Sequence, residues 1–531
     1  MQQANGNGKM TKYRWTICAM LFFATTINYL DRQVLSLTWK DFIVPEFHWT
    51  NNDYGTITAI FSIVYAISML FAGKFVDWMD TKKGFLWAIF IWSIGAVIHA
   101  FCGIATSGIV AGQWAVGFHG AKEALSTVGD VAQVASVSVS LFIFARIVLA
   151  IGEAGNFPAA IKATAEYFPK KDRAYATSIF NAGATIGALM APLTIPFIAK
   201  AWGWEMSFII IGAVGFIWMA FWVFIYKKPH VHPKVNKAEL EYIQQDDSAE
   251  VKQDNMATGP KKGISFAQAF KYKQTWAFAI GKFMTDGVWW FFLFWTPAYL
   301  SSVYGLDSTQ SAPQIFTLYL ITLLSIIGGW LPSYFVGKKG MNPYAGRMRA
   351  MLIFAFFPLL ALLAQPLGGM SVWFPVIIIG IAGAAHQAWS ANIFSTVGDM
   401  FPKKAIATIT GIGGMAGGVG SFLINKGSGV LFDSTQKNWS KVNGEPLLSK
   451  YPELANADTA KTFFEQQTAT LNTKIGNIEE LLKYLAKNGN DVVNGINSGY
   501  MIIFAICAVA YLIGWVIMKS LVPKYAPITD L

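Results

Sequence analysis

The sequence predicts an all-α polytopic membrane protein of twelve transmembrane helices in two six-helix halves. Three observations lead there. The 531 residues are 54% hydrophobic and only 13% charged, where soluble domains carry about 25% charge. Apolar runs long enough to cross a bilayer, roughly 20 residues each, recur along the chain. Short basic clusters sit between those runs, as the positive-inside pattern requires.

Taken in order, the predicted spans are 15–37, 54–76, 84–105, 137–162, 174–198, 205–226, 274–300, 313–336, 348–366, 371–397, 405–430 and 499–520. The polar start, residues 1–10, lacks a cleavable signal, so the first run is expected to remain as helix one. The basic clusters Lys82/Lys83, Lys170/Lys171/Arg173, Lys227/Lys228, Lys338/Lys339 and Lys403/Lys404 follow even-numbered spans, which puts both termini in the cytoplasm. The stretch 227–270 is rich in Lys, Glu, Asp and Gln and reads as a cytoplasmic linker, dividing the chain into bundles at 1–226 and 271–531. Two stretches, 106–136 and 433–498, read as exoplasmic insertions. In the second, Ile475, Ile478, Leu482 and Leu485 repeat at helical spacing, and Asn438-Trp439-Ser440 forms a sequon. Spans five and eleven carry glycine-rich strips, expected either to let helices approach closely or simply to pack them.

The net charge of +11 does not indicate nucleic acid, because the basic residues lie in loops between spans and no separate basic domain exists. Cys18, Cys102 and Cys507 lie in apolar runs without metal-ligand or disulfide spacing. No phosphate-binding loop, hydrolase elbow or zinc-protease motif occurs, so neither an ATPase site nor a cofactor is expected.

Ionisable residues at bilayer depth are expensive and mark candidate sites. Span one carries Tyr29, Asp31 and Arg32. Asp31 can exchange a proton, and Arg32 can clamp a carboxylate with two parallel hydrogen bonds; the plainer alternative is an ion pair near the helix end. Span four carries Arg146 and Glu153 on one helical face, two turns apart and too distant for direct contact. They suit anion–proton cotransport, or compensate each other structurally. Lys282 and Asp286 in span seven form an i,i+4 pair, read first as a structural ion pair. Span ten carries His386, Gln387, Trp389, Ser390 and Asn392. Gln387, Ser390 and Asn392 could bind sugar hydroxyls beside the Trp389 ring, or form interhelical hydrogen bonds. His386 reads as a packing histidine.

The loop from Gly73 through Asp77, Lys82 and Lys83 to Gly84 resembles the signature between helices two and three of the major facilitator superfamily. It departs at Trp78, where a basic residue is usual, and at Asp80, where glycine is usual. Residues 29–32, the run from Arg146 to Pro158, and 386–392 together resemble the anion:cation symporter family. The aromatic run 289–297 and residues 386–392 resemble its bacterial hexuronate transporters in particular. The resemblance covers nearly the whole chain, and the two insertions depart from the family pattern. It implies a proton-coupled symporter for an anionic sugar, with Asp31 and Glu153 as protonation sites and Arg32, Arg146 and Tyr29 in the substrate motif. Tyr65 and Asn181 are placed with them from helix position alone.

The expectation is uptake of glucuronate or galacturonate with protons by alternating access, in a monomer of the bacterial cytoplasmic membrane. Aldonate transport is the alternative within the class, and a transport-inactive sensor the alternative outside it. An enzyme is not expected, because no nucleophile–base or metal constellation is visible.

Overall fold

The computed structural model describes residues 10–114, 116–245, 264–438, 441–442, 445–446 and 495–529. Each predicted span corresponds to a long helical segment: α1 Tyr13–Thr38, α2 Asn51–Met79, α3 Thr81–Ala111, α4 Val131–Tyr167, α5 Lys170–Trp202 and α6 Trp204–Ile225. Then follow α7 Lys273–Tyr304, α8 Ala312–Lys339, α9 Pro343–Gly368, α10 Trp373–Met400, α11 Lys403–Asn438 and α12 Gly495–Leu521. Among the described residues, nine of these are apolar and long enough to cross a membrane by length and composition alone. The other three, α1, α7 and α11, carry the intramembrane charges or a run of glycine and polar residues.

Local chemistry sets the helix ends. Thr50 and Asp53 form a reciprocal capping box at the start of α2. Asp80, Asp130 and Asn342 cap α3, α4 and α9 through their side chains. Gly112 ends α3 at φ +71°, a left-handed conformation that glycine adopts without strain. α3 therefore runs past the predicted 105, through small and apolar residues, to Ala111. The stretch between α3 and α4 is correspondingly shorter than the expected insertion and holds a short helix, Phe118–Ser126. The amphipathic 475–485 segment and most of the second insertion lie outside the described residues, as do residues 246–263 of the linker. In the described part of the linker, helix Lys237–Ile243 docks beneath α1. Glu239 accepts hydrogen bonds from the backbone N–H of Tyr13 (3.0 Å) and Arg14 (3.1 Å) and pairs with the Arg14 guanidinium at 3.0 Å. A carboxylate thus caps the positive end of α1 from a distant segment.

The halves, α1–α6 and α7–α12, hold their helices together through glycines. A Cβ on Gly187 of α5 would lie 2.5 Å from the Thr26 carbonyl of α1, and one on Gly287 of α7 would lie 2.9 Å from the Gly420 carbonyl of α11. The same device joins the halves, where Gly55 of α2 sits against the Asn425 carbonyl of α11. The glycine-rich strips of spans five and eleven therefore do bring helices close.

The near end of the bundle is where α1 begins and the far end is where it finishes. Among the described residues, hydrogen bonds between the halves gather at the far end. Asp433 of α11 accepts from the backbone N–H of Asn51 (3.0 Å) and Asn52 (2.8 Å) at the start of α2. Lys426 donates to Asn52 and Thr56, Tyr54 donates to the Phe294 carbonyl, and Asp41 accepts from the Ser308 N–H.

Candidate functional site

The charges predicted on α1 and α4 meet in the N-terminal half. Arg32 donates from Nε (2.8 Å) and Nη2 (2.6 Å) to the same oxygen of Glu153, while Glu153 Oε1 has no hydrogen-bond partner. Asp31 is 1% exposed and neither of its oxygens is hydrogen-bonded among the described residues; Arg146 is equally buried and none of its three nitrogens is. Asp31 lies within electrostatic reach of Glu153, Arg146 and Arg32, so the four form one cluster of two acids and two bases. A buried charge without a hydrogen-bonding partner is costly, and it usually marks a transported ion, a proton or a ligand.

Aromatic rings enclose the Arg32 guanidinium. Tyr65 lies at 4.7 Å from it, Tyr29 at 5.0 Å, Trp290 at 5.4 Å and Phe61 at 5.8 Å. Phe61 also lies 5.2 Å from Arg146. Trp290 belongs to α7, so this cage already spans the two halves. Sequence reasoning placed Tyr29 and Tyr65 here but missed Phe61 and Trp290. Phe61 stands one turn before Tyr65 on α2, a spacing that could have revealed it. Asn28 was also passed over; it is fully buried with both amide atoms unpartnered.

Glu153 stands at the end of the first helix of α4, at the Ala154–Gly155 break before Asn156–Tyr167. Gly152 and Gly155 press this break onto Trp92 and Ala88 of α3, where a Cβ would collide. The close packing of α4 on α3 fixes where the Glu153 side chain emerges.

In the C-terminal half Asn392 follows the interhelical alternative. Asn392 donates to the Gly328 carbonyl of α8 (2.9 Å) and the Ala388 carbonyl (2.8 Å), which uses its amide to join α10 to α8. Trp389 is fully buried, packed edge-on against Tyr511 of α12 at 5.5 Å. Gln387 and Ser390 remain half-buried and hydrogen-bond no described residue. Asn181 sits on an exposed face of α5 and likewise bonds to no described residue. His386 is packed as expected, stacked on Trp289 at 5.4 Å and bonded through Nδ1 to the Tyr511 hydroxyl at 2.7 Å. Lys282 and Asp286 form the expected pair at 2.8 Å.

At the near end, the Asp77 carboxylate pairs with Lys162 of α4 at 3.0 Å, and Lys82 donates to the Val223 carbonyl of α6 at 2.6 Å. Gly73 has open space beside it, and Lys83 is exposed. The signature loop therefore ties α2 and α3 to their own half. Trp78, the departure from the pattern, is 79% exposed, and Asp80 pairs with Lys228 at 3.3 Å.

A family model described as Major Facilitator Superfamily matches residues 21–424. The hexuronate transporter of Escherichia coli (strain K12) is 28% identical over 431 residues, covering 80% of this chain and 89% of that one. The galacturonate transporter of Dickeya chrysanthemi is 27% identical over 328 residues, 62% of this chain and 84% of that one. Among solved structures, a bacterial homologue of the human lysosomal transporter Spinster, inward-facing and unoccupied, superposes with a TM-score of 0.63 at 18% identity, covering 97% of this chain and 99% of that one. With twelve long helices among the described residues and its match over most of the sequence, the chain belongs to the Major Facilitator Superfamily and is a transporter rather than an enzyme.

Proposed function

We propose that the protein carries hexuronates, glucuronate or galacturonate, into the bacterial cell together with protons. The observation that carries this reading is the buried Arg146, without a hydrogen bond, in one cluster with Asp31 and the Arg32–Glu153 pair. The substrate carboxylate takes the free guanidinium of Arg146. Protonation of Glu153 loosens its hold on Arg32, whose planar fork then becomes available to the same carboxylate. Protonation of Asp31 removes a second negative charge that would repel the incoming anion. Loading thus replaces the two buried carboxylate charges by the single one of the substrate, and the loaded site crosses the apolar barrier with one net positive charge instead of an unpaired anion. Gln387 and Ser390 supply free hydrogen-bonding groups from the other half. The far end is the exoplasmic one, following the basic loops, and its ties between the halves make this an exoplasm-closed state. The identity of the relatives by name supports sugar acids as the substrate class.

The test is radiolabelled galacturonate and glucuronate uptake into proteoliposomes under an inward proton gradient, with unlabelled competitors. Both uronates are expected to compete. Glucose and galactose are not, because a neutral sugar leaves a buried arginine unpaired, at a cost of about 2–5 kcal/mol. Asp31→Asn is expected to abolish accumulation, since an amide cannot cycle a proton. If gluconate or galactonate outcompetes both uronates, the protein is an aldonate carrier. Equal competition by neutral hexoses sinks the anion reading, and absence of any uptake supports a sensor.

A further inference from the structure

The C-terminal half holds a buried ion pair that the scheme above does not use. Lys282 and Asp286 meet at 2.8 Å with side chains only 5% and 15% exposed, and Asp286 Oδ1 has no hydrogen-bond partner among the described residues. Both residues belong to α7, and the Lys282 ammonium also lies 4.3 Å from the Phe394 ring of α10, so the lysine is anchored on a second helix while the acid keeps a free oxygen. A buried ion pair costs desolvation that its own attraction repays poorly, and apolar side chains of similar volume often serve the fold as well.

Its position is more informative. Asp286 and Trp290 are one turn apart on the same face of α7. Trp290 is the residue that reaches Arg32 and, at 5.8 Å, the Tyr65 ring in the other half. Opposite Asp286, α11 presents Gly417, where any Cβ would collide with the carboxylate. The missing side chain makes room for an acid in the wall between α7 and α11. Asn392 is already committed to helix carbonyls, and Asp286 Oδ1 is the buried carboxylate oxygen of this half left without a hydrogen bond among the described residues.

We propose that Asp286, kept in place by Lys282, is the specificity-determining group that reads the hydroxyls of the transported acid; this assignment rests on the sugar-acid reading given above. An ionised carboxylate accepts hydrogen bonds from hydroxyls about twice as strongly as a neutral acceptor does. The free Oδ1 can take one hydroxyl of the substrate, and the lone pairs that Lys282 leaves unused can take its neighbour. Lys282 cancels the charge that would otherwise repel an anionic substrate. The ligand class is a carboxylate bearing adjacent hydroxyls, and a carboxylate without them is discriminated against.

Binding calorimetry on the purified full-length protein tests this with galacturonate, glucuronate and tetrahydropyran-2-carboxylate, which keeps the ring and the acid but has no hydroxyls. The wild type is expected to prefer the uronates by roughly tenfold or more, the weight of one or two hydrogen bonds to a charged group. Asp286→Ala is expected to lose that preference: the hydroxyl-free acid binds at least as tightly as to wild type, drawn by the Lys282 charge left unpaired, while the uronates lose the roughly tenfold advantage their hydroxyls gave. A double variant, Lys282→Met with Asp286→Met, removes the pair without stranding a charge and is expected to fold and to show the same loss of preference. The assignment is overturned if uronates and the hydroxyl-free acid weaken together, if neither changes, or if both variants fail to fold, since the last result makes the pair a structural one. Equal binding of all three acids by the wild type overturns it while leaving anion recognition intact. A wild type that binds none of them overturns the sugar-acid reading itself.

Discussion

At the scale of single residues, the site is defined by which charges are partnered. Glu153 satisfies one oxygen on Arg32, and Arg146 hydrogen-bonds no described residue. Their sequence positions could not tell this, because each acid had two candidate bases. A different acid, Glu46, lies outside the spans in the short helix Val44–Phe47 at the far end. Its Oε2 accepts from the Trp204 indole N–H at 2.9 Å, and Gly103 leaves its other oxygen just enough space. Burial pushes the Glu46 carboxyl up to about 7, against the pull of that indole bond. The fold therefore prefers the protonated acid. Its contribution to stability is complete below the ordinary value of 4.5, declines as pH rises, and is gone above about 7. Glu46→Gln is expected to flatten this slope and to be more stable than wild type at alkaline pH by on the order of 1–3 kcal/mol. Thermal unfolding in detergent across that pH window checks it; an unchanged slope refutes it.

At the scale of elements, helix approach is what brings Tyr29 and Arg32 to their places. Gly183 and Gly187 let α5 press against the carbonyls of Phe22 and Thr26 on α1. A Cβ on Gly187 would also sit 2.9 Å from Tyr29 Cβ, inside the cage around Arg32. Gly187→Val is expected to destabilise the protein by about 1–3 kcal/mol through overpacking, and to weaken substrate binding by displacing Tyr29. Unfolding and calorimetry on the same sample separate the two effects. A variant with wild-type binding would show that the α1–α5 contact does not position the site. The pairing of Asn392 with Gly328 is the parallel case in the other half, where a polar side chain proved to be an inter-helix tie.

At the scale of the whole molecule, the two halves are latched at the far end. Asp433 faces the N-terminus of α2, where two backbone N–H groups are left without helical partners and the helix dipole favours an anion. Opening that end requires those bonds to break. Asp433→Ala is expected to shift the conformational balance toward a far-end-open state by about 2 kcal/mol, some thirtyfold. A cysteine placed at Thr58, buried behind the latch, reports the shift as faster labelling by a membrane-impermeant thiol reagent. Unchanged labelling would mean that the contacts of Lys426 and Asp41 hold the end closed without Asp433.

Much of this was legible from residue order alone. Hydropathy located every long helix, because a bilayer demands about 20 apolar residues per crossing and tolerates few charges. The same cost singled out Asp31, Arg32, Arg146, Glu153, Lys282 and Asp286 before any geometry was known. What only the tertiary structure decided is how those groups are shared. Arg32 chose Glu153, 121 residues away, over its own neighbour Asp31. Trp290 crossed from the other half to cover it, and Asn392 bonded to a backbone carbonyl of α8. The reason is physical: the price of a buried charge is set by local sequence, whereas its partner is set by the rotation and spacing of helices packed from distant parts of the chain.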